Sequence, residues 1–409
     1  EARSAAQPAP APAAWLGLPW GGPPEALERA LQQQLAAVLR TPEDEERAER
    51  CLRELEGVLR DRLPAGAEWR VRALGSAASG FGTRGCRLDA VALDGAEEAR
   101  EAGPKAAQAT LCQIAQLLVG SCFQVSRAVL QARVPTLQLR YEQQEVGLSA
   151  NDAGPLLSAR LLRAYAALDP RVAALGVAVK LWAKEQGVCG AAAGHLSSHA
   201  WTLMCLYFLQ VAVRPPMPCL QAGGSEDAAF GSDEAAAARL QAALAAGWHP
   251  EEPVSALLVR FFAFYASDFL WGCEVASVRL GRRQASTAAA FRGMAGRQGA
   301  PLHIEDPFDR SRNLQDALWF EHAWHLRSCI SRMHFAAQGA AAPAAPPPMP
   351  AEVAALMLQQ HLPYPAWLQQ PAGGPFQFAP PFAAPEAWRR KNGRKTRCQQ
   401  QPRPGMSMA

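Results

Sequence analysis

The amino-acid sequence predicts an α+β protein, in which a small mixed α/β unit precedes a helical domain and extended arms lie at both ends. Between residues 64 and 153, short runs of strand-forming residues alternate with one helical pattern. From residue 154 to residue 336, apolar residues recur at the spacing of amphipathic helices. Alanine and proline dominate residues 1–23 and 337–409, which predicts extended, low-complexity segments there.

Each element is predicted from its own local pattern. Leucines at helical spacing predict helices within residues 24–63, and Thr41, followed by acidic residues, is typical of a helix start. In the mixed unit one helix is predicted at residues 105–119, with strands at 69–74, 86–93, 124–131, 135–141 and 146–149. The helical domain is predicted to contain helices at 157–167, 172–186, 197–211, 233–246 and 254–269, and a short helix is predicted near 353–361.

Composition and charge narrow the class of protein. The net charge of +4 over 409 residues is a weak indication of an anionic partner. Ten cysteines occur without a C-x-x-C pair, which favours buried thiols in a reducing compartment over a disulfide scaffold or a zinc site. The longest apolar run, Trp201–Val213, contains Gln210 and is too short to span a membrane. A removed organellar targeting peptide is one explanation for a chain that starts at Glu1.

A glycine-rich turn follows the first predicted strand. Gly75 lets backbone N–H groups approach a phosphate group closely, and the hydroxyl group of Ser76 can add a hydrogen bond. The spacing alone also fits a flexible glycine-rich hairpin. The next strand carries Arg87 and Asp89, which lie on one face because they are two residues apart. Phosphoryl or nucleotidyl transfer with two metal ions would need carboxylates there, and Arg87 places a positive charge at one of the two positions.

Four segments in order resemble the terminal RNA nucleotidyltransferases of the polymerase-β-like superfamily. They are LGSAASGFGTRGCRLD, RLLRAYAALDPRVAALGVAVKLWAKEQGV, HLSSHAWTLMCLYFLQ and IEDPFDRSRN. This family includes mitochondrial poly(A) polymerase and the terminal uridylyltransferases. The resemblance implies a nucleotidyltransferase palm at residues 64–153 and a poly(A)-polymerase-type central domain at 154–336. It also implies that the helices of residues 24–63 pack on the central domain.

The resemblance implies a role for each matching residue of the palm. Gly75 and Ser76 match the pair that grips phosphate, and Asp89 matches the second catalytic aspartate. Arg87 stands where the family has the first aspartate, and Gly147 where it has the third. Glu145 or Asp152 could in principle replace the lost acids. The sequence therefore predicts a degenerate member of the family, with Asp89 as a remnant and no bound metal.

The helical half keeps more of the residues that the family uses for the nucleotide. Lys180, Lys184 and Ser198 match contacts to the triphosphate, and His199 stands where the family usually has a tyrosine that stacks on the base. Glu305 and Asp306 match acids at the base edge, while Arg312 replaces a histidine of some uridylyltransferases. The pairs His195/His199 and His322/His325 have a spacing that could bind a metal, but no third ligand accompanies them, which favours ordinary packing.

The C-terminal arm contains a cluster of basic residues next to Trp388, a composition that suits the phosphates and unstacked bases of RNA. The predicted RNA-binding residues are Arg389, Arg390, Lys391, Arg394, Lys395 and Arg397. A solvated charge run is the simpler alternative.

Together these features predict a pseudoenzyme without a cofactor. The predicted role is that of an RNA-binding or structural subunit of an organellar ribonucleoprotein. The specific expectation is the mitochondrial ribosome or its assembly machinery. The expected partners are RNA, in the specific case ribosomal RNA, and neighbouring proteins, with no membrane. The alternative locations are another organelle, the nucleus or the cytoplasm. The alternative function is an active RNA 3′-terminal nucleotidyltransferase that uses Mg²⁺ and ATP or UTP, and a third is a sensor that binds a nucleotide without turnover.

Overall fold

The computed structural model describes residues 17–62, 69–95, 103–132, 134–222, 228–294 and 300–340. All of them belong to one compact unit, Glu1–Pro363. The basic cluster of residues 389–397 and the helix predicted near 353–361 lie outside the described residues. Among the described residues no helix is long and apolar enough to cross a membrane.

A five-stranded mixed sheet forms the palm, as predicted. Its strands are β1 (Trp69–Leu74), β2 (Leu88–Asp94), β3 (Phe123–Val129), β4 (Thr136–Tyr141) and β5 (Gln144–Ala150). Their order across the sheet is β1-β2-β5-β4-β3. Strands β2 and β5 are parallel, and the other neighbouring pairs are antiparallel. Two helices belong to this unit: α3 (Gly75–Ala78) after β1, and α4 (Pro104–Leu117), which packs on β4 and β5.

The helical domain follows the sheet and contains the five predicted helices. They are α5 (Gly154–Leu168), α6 (Pro170–Glu185), α7 (Ser198–Val211), α8 (Asp233–Ala245) and α9 (Val254–Ala263), the last continued by a π-helical turn to Asp268. The domain ends with α10 (Phe320–Ala337). A two-stranded parallel sheet of β6 (Val275–Ala276) and β7 (His303–Ile304) lies in this domain. Its core contains edge-to-face aromatic contacts between Trp182, Trp201 and Phe262.

The two N-terminal helices pack on different units. Helix α1 (Pro24–Val38) places Leu27, Leu31 and Leu35 in the core of the helical domain. Helix α2 (Pro42–Arg62) instead buries its apolar stripe against the sheet, in one cluster with residues of β1, β2 and α4. The prediction that both helices pack on the central domain is therefore wrong for α2. The reason is that the apolar face of the palm sheet must be shielded from water, and α2 covers it together with α4.

The nine described cysteines are free thiols, of which Cys51, Cys205 and Cys329 are buried, whereas Cys112, Cys122 and Cys273 are exposed. Burial raises the pKa of Cys51 to about 12, so this thiol stays protonated inside the palm core.

Candidate functional site

The candidate site lies where the glycine-rich turn meets β2 and β5. Parallel pairing places Asp89 of β2 directly opposite Gly147 of β5. The other side of Asp89 faces Gly75, which has a φ of +62°. A Cβ atom at Gly75 would lie 3.1 Å from the Oδ2 atom of Asp89. Glycine at residue 75 therefore permits both the left-handed backbone and the close approach of the turn to this carboxylate.

Arg87 forms an ion pair with Asp89 and fills the space above Gly147. Its Nε and Nη2 atoms lie 2.8 and 2.7 Å from Oδ1 of Asp89. A Cβ atom at Gly147 would lie 2.8 Å from the same oxygen and 3.1 Å from Nε of Arg87. The two departures that the resemblance implies, Arg87 and Gly147, are thus linked in space, because the guanidinium group occupies space that a side chain at residue 147 would need.

The two acids considered as substitutes have other contacts. Glu145 is 68% exposed, and its carboxylate lies 3.9 Å from the guanidinium of Arg140 on the neighbouring strand. Asp152 accepts a hydrogen bond from the backbone N–H of Gly154 at the start of α5. One carboxylate already bound by a guanidinium group does not fit a two-metal centre, which requires several oxygen ligands. Among the described residues no group of three or more His, Cys, Asp or Glu side chains could hold a metal ion.

Lys180 connects the helical domain to the glycine-rich turn. Its Nζ atom donates a 2.6 Å hydrogen bond to the backbone carbonyl of Phe81, and the residue is buried. Burial, and to a lesser extent the charge of Lys184, lower the pKa of Lys180 to about 8. The ring of Phe81 packs on Gly176 of α6, where a Cβ atom would lie 2.5 Å from the ring. Lys180 thus supports the turn, whereas Lys184, one helical turn further on, is exposed.

The start of α7 brings Ser198 and His199 to the same region. Ser197 caps the helix by accepting a hydrogen bond from the N–H of Ala200. The hydroxyl group of Ser198 lies 3.4 Å from the thiol of Cys189. Burial lowers the pKa of His199, and its electrostatic neighbours are Asp306, Arg312 and Lys180. Of the predicted nucleotide-contacting residues, Lys180 of α6, His199 of α7 and Asp306 therefore lie near one another.

Glu305 and Asp306 have different environments. Glu305 is only 1% exposed and accepts hydrogen bonds of 2.5 Å from Ser277 and 2.6 Å from the Nη2 atom of Arg279. Its carboxylate therefore belongs to the buried framework rather than to an open base site. One oxygen of Asp306 accepts backbone hydrogen bonds within its own turn, and the other lies 3.2 Å from Nη1 of Arg312.

The candidate metal-binding histidines pack against each other and against nearby groups. The rings of His195 and His322 stack at 4.1 Å between centroids, and Nδ1 of His322 lies 2.9 Å from the carbonyl oxygen of Gly194. Nε2 of His325 lies 3.6 Å from the thiol of Cys329.

Sequence reasoning missed three supports of the site: Phe81, Gly176 and Arg279. A glycine inside the helical pattern of α6 was an available signal for Gly176, because glycine weakens a helix unless a close contact requires it. The sequence around Arg279 contained no comparable signal.

The mixed sheet, the glycine-rich turn and the adjoining helical domain define a protein with the polymerase-β-like nucleotidyltransferase fold. Solved structures bear this out. The structure of the Cid1 poly(U) polymerase with MgGTP matches with a TM-score of 0.61 and 21% identity, over 75% of this chain and 93% of that one. A cytoplasmic RNA terminal U-transferase matches with a TM-score of 0.60 and 20% identity, over 75% and 92% of the two chains. The predicted fold class is therefore confirmed.

Sequence comparison finds similarity to poly(A) polymerases in two parts of the chain. Residues 27–167 match the central palm domain of mitochondrial-like poly(A) RNA polymerase, and residues 253–312 match the Cid1 family poly A polymerase domain. Poly(A) RNA polymerase cid11 of Schizosaccharomyces pombe is 30% identical over 50% of this chain and 42% of its own length. Poly(A) RNA polymerase GLD2-A of Xenopus laevis is 29% identical over 63% and 49%. The predicted resemblance to the poly(A)/poly(U) polymerase-like nucleotidyltransferases is therefore confirmed, and the chain spans less than half the length of these two relatives.

Proposed function

We propose that this chain is a catalytically degenerate member of its family that has lost polymerisation and acts as an RNA-binding or structural subunit of a ribonucleoprotein. The observation that carries the proposal is the ion pair between Arg87 and Asp89 over Gly147. This ion pair bears on metal-dependent nucleotidyl transfer, which every polymerase of this class must perform.

The ion pair argues against polymerisation for an electrostatic reason. Two unit charges 4 Å apart interact by about 4 kcal/mol at an effective dielectric constant of 20, and a divalent ion doubles that figure. Arg87 would repel a metal ion beside Asp89 by an energy of this order. Its guanidinium also binds Oδ1 of Asp89, one of the two carboxylate oxygens that could bind an ion. Gly147 offers no carboxylate to compensate.

RNA is the proposed partner because the relatives named above are RNA polymerases and an RNA terminal U-transferase. The basic cluster of residues 389–397 supplies the charge for phosphate contacts. We further propose that the assembly is mitochondrial, and specifically the mitochondrial ribosome or its assembly machinery, with its RNA and neighbouring proteins. This part rests on the match to the mitochondrial-like palm and on the composition of the arms.

A primer-extension assay tests the loss of catalysis. The full chain is incubated with an RNA primer, each of the four ribonucleotides, and Mg²⁺ or Mn²⁺. We expect no extension from the chain itself and from Asp89→Ala. The pair Arg87→Asp with Gly147→Asp is the matched gain-of-function variant, because it restores both missing carboxylates and removes the guanidinium. Robust tailing by the natural chain that Asp89→Ala abolishes would overturn the proposal.

Copurification tests the ribonucleoprotein role. We expect the chain to sediment with RNA in stoichiometric amount and to be released by ribonuclease. Replacing the six basic residues of the cluster by glutamine should weaken this association. Glutamines in place of the five exposed arginines of α2, which are Arg47, Arg50, Arg53, Arg60 and Arg62, form the control. Sedimentation as a free protein in every extract would contradict the proposal.

An active RNA 3′-terminal nucleotidyltransferase that uses Mg²⁺ and ATP or UTP is the second candidate. The observation that favours it is the retention of Asp89 beside Gly75, together with Ser76, Lys184 and Ser198. The same primer-extension assay separates the two candidates.

A further inference from the structure

We propose that one surface patch of the helical domain is a docking site for a protein partner that presents a carboxylate group beside an apolar side chain. The patch consists of Leu270, Trp271, Trp324 and Arg327. It joins α10 to the segment just after the π-helical turn, and these two elements pack together. The inference rests on the proposed role as a subunit of a larger assembly, and it names the chemistry of one neighbouring protein.

Arg327 carries a positive charge whose contacts are aromatic. Its Cζ atom lies 5.8 Å from the ring centroid of Trp271 and 5.8 Å from that of Trp324. Its Nε and Nη1 atoms are buried, and neither donates a hydrogen bond to any residue that the structure describes. Burial lowers the pKa of Arg327. Cation–π contacts offset only part of the cost of removing a guanidinium group from water, so an anion at this position gains more than at a fully exposed arginine.

Arg283 completes a similar arrangement with a carboxylate of the chain itself. Its Cζ atom lies 5.6 Å from the ring centroid of Phe264, and its Nη2 atom lies 2.6 Å from a carboxylate oxygen of the buried Glu274. Arg327 has the aromatic contacts of such a site but not the carboxylate. The indole N–H of Trp324 is also buried without an acceptor among the described residues. A carboxylate group from a partner would supply both the acceptor and the negative charge.

Exposed apolar surface beside the cation favours a protein over RNA as the occupant. Leu270 directly precedes Trp271 and is 60% exposed. Asp268, two residues earlier, is exposed, and Arg283 is already paired with Glu274. The patch therefore offers one cation next to an apolar side chain, whereas a polyanion such as RNA is bound by several cations. Tryptophan and arginine are also the residue types that contribute most often to the energy of protein–protein interfaces.

Photo-crosslinking of the full chain in its native assembly tests the inference. The photoreactive residue p-benzoylphenylalanine replaces Leu270, and mass spectrometry identifies the crosslinked peptide. We expect a protein peptide in which an Asp, a Glu or a C-terminal carboxylate lies next to the crosslinked apolar residue. The same photoreactive residue in place of Val119, which is 76% exposed beside the palm sheet, is the control and should not crosslink to that peptide.

A synthetic peptide with the crosslinked sequence is then the probe for binding to the purified full chain, measured by fluorescence anisotropy. Arg327→Gln should weaken binding by at least about tenfold, as expected for the loss of a charge-assisted hydrogen bond. An amide in place of the peptide's carboxylate should cause a similar loss, and the two changes together should add little, because both remove the same interaction. Arg332→Gln removes an exposed arginine of the same helix and should leave binding unchanged.

The possible failures are distinguishable. Crosslinking of residue 270 to RNA, or to a peptide without an acidic group, would overturn the inference, as would equal binding of the peptide by the natural chain and Arg327→Gln. If the chain sediments with RNA but residue 270 crosslinks to no protein, the inference is wrong and the proposed function stands. If the chain sediments free in every extract and gives no crosslink, both are wrong. The amide peptide leaves the chain unchanged, so the test remains decisive even if Arg327→Gln does not fold.

Discussion

Burial of Lys180 predicts how the free energy of unfolding depends on pH, because a buried lysine binds its proton less tightly than an exposed one. Burial lowers its pKa from 10.5 to about 8. Between these values the unfolded chain binds a proton that the folded chain does not, so the free energy of unfolding rises with pH. The full shift corresponds to about 3 kcal/mol. Between pH 7.5 and pH 10 the gain from this group is about 2 kcal/mol.

The variant Lys180→Met isolates this contribution. Methionine keeps a similar length but has no titrating group, and the loss of the hydrogen bond to Phe81 applies at both pH values. Tyrosines and cysteines also titrate in this range, but they are common to both proteins. The natural chain should therefore gain about 2 kcal/mol relative to Lys180→Met on going from pH 7.5 to pH 10.

Urea denaturation followed by tryptophan fluorescence at the two pH values measures the difference. Trp182 and Trp201 are buried in the same domain, so their emission reports the loss of its core. Lys184→Met is the matched control, because Lys184 is exposed on the same helix. If natural chain and Lys180→Met respond equally to pH, Lys180 is not held in a dry environment and the assigned contact with Phe81 is wrong.

Three further predictions concern the framework of the site. Glu305→Gln removes the carboxylate charge from buried Arg279 and should lower the free energy of unfolding by about 3 kcal/mol in urea denaturation; a loss below about 1 kcal/mol would contradict the buried pair. Gly176→Ala places a Cβ atom 2.5 Å from the ring of Phe81 and should destabilise by about 1–3 kcal/mol, with partial recovery on adding Phe81→Leu. Burial lowers the pKa of His195 to about 4, so stability should fall as the pH decreases from 6.5 towards 4, and His195→Phe should flatten this dependence in thermal unfolding. An unchanged slope in that variant would assign the acid sensitivity to other groups.

Local sequence patterns were sufficient to predict the helices and strands. The leucine spacing before residue 63, the strand-forming runs of the palm and the five helices after residue 154 each predicted an element within a few residues of its observed bounds. Hydrophobic periodicity is a property of neighbouring residues, so it can be read without knowing the fold. It did not reveal that α2 covers the sheet, because an apolar stripe does not specify which apolar face it meets.

The sequence by itself also predicted, through its resemblance to the family, that Arg87 and Gly147 stand where the family has carboxylates, since this prediction depends only on the order of residues within motifs. Only the tertiary structure decided that the two departures form one arrangement. Parallel pairing of β2 and β5 brings Gly147 opposite Asp89, and the guanidinium then lies in the vacated space. The structure likewise placed Glu305 in a buried ion pair and Lys180 on a backbone carbonyl. Such partners are distant in sequence, and their burial arises only when the chain is folded.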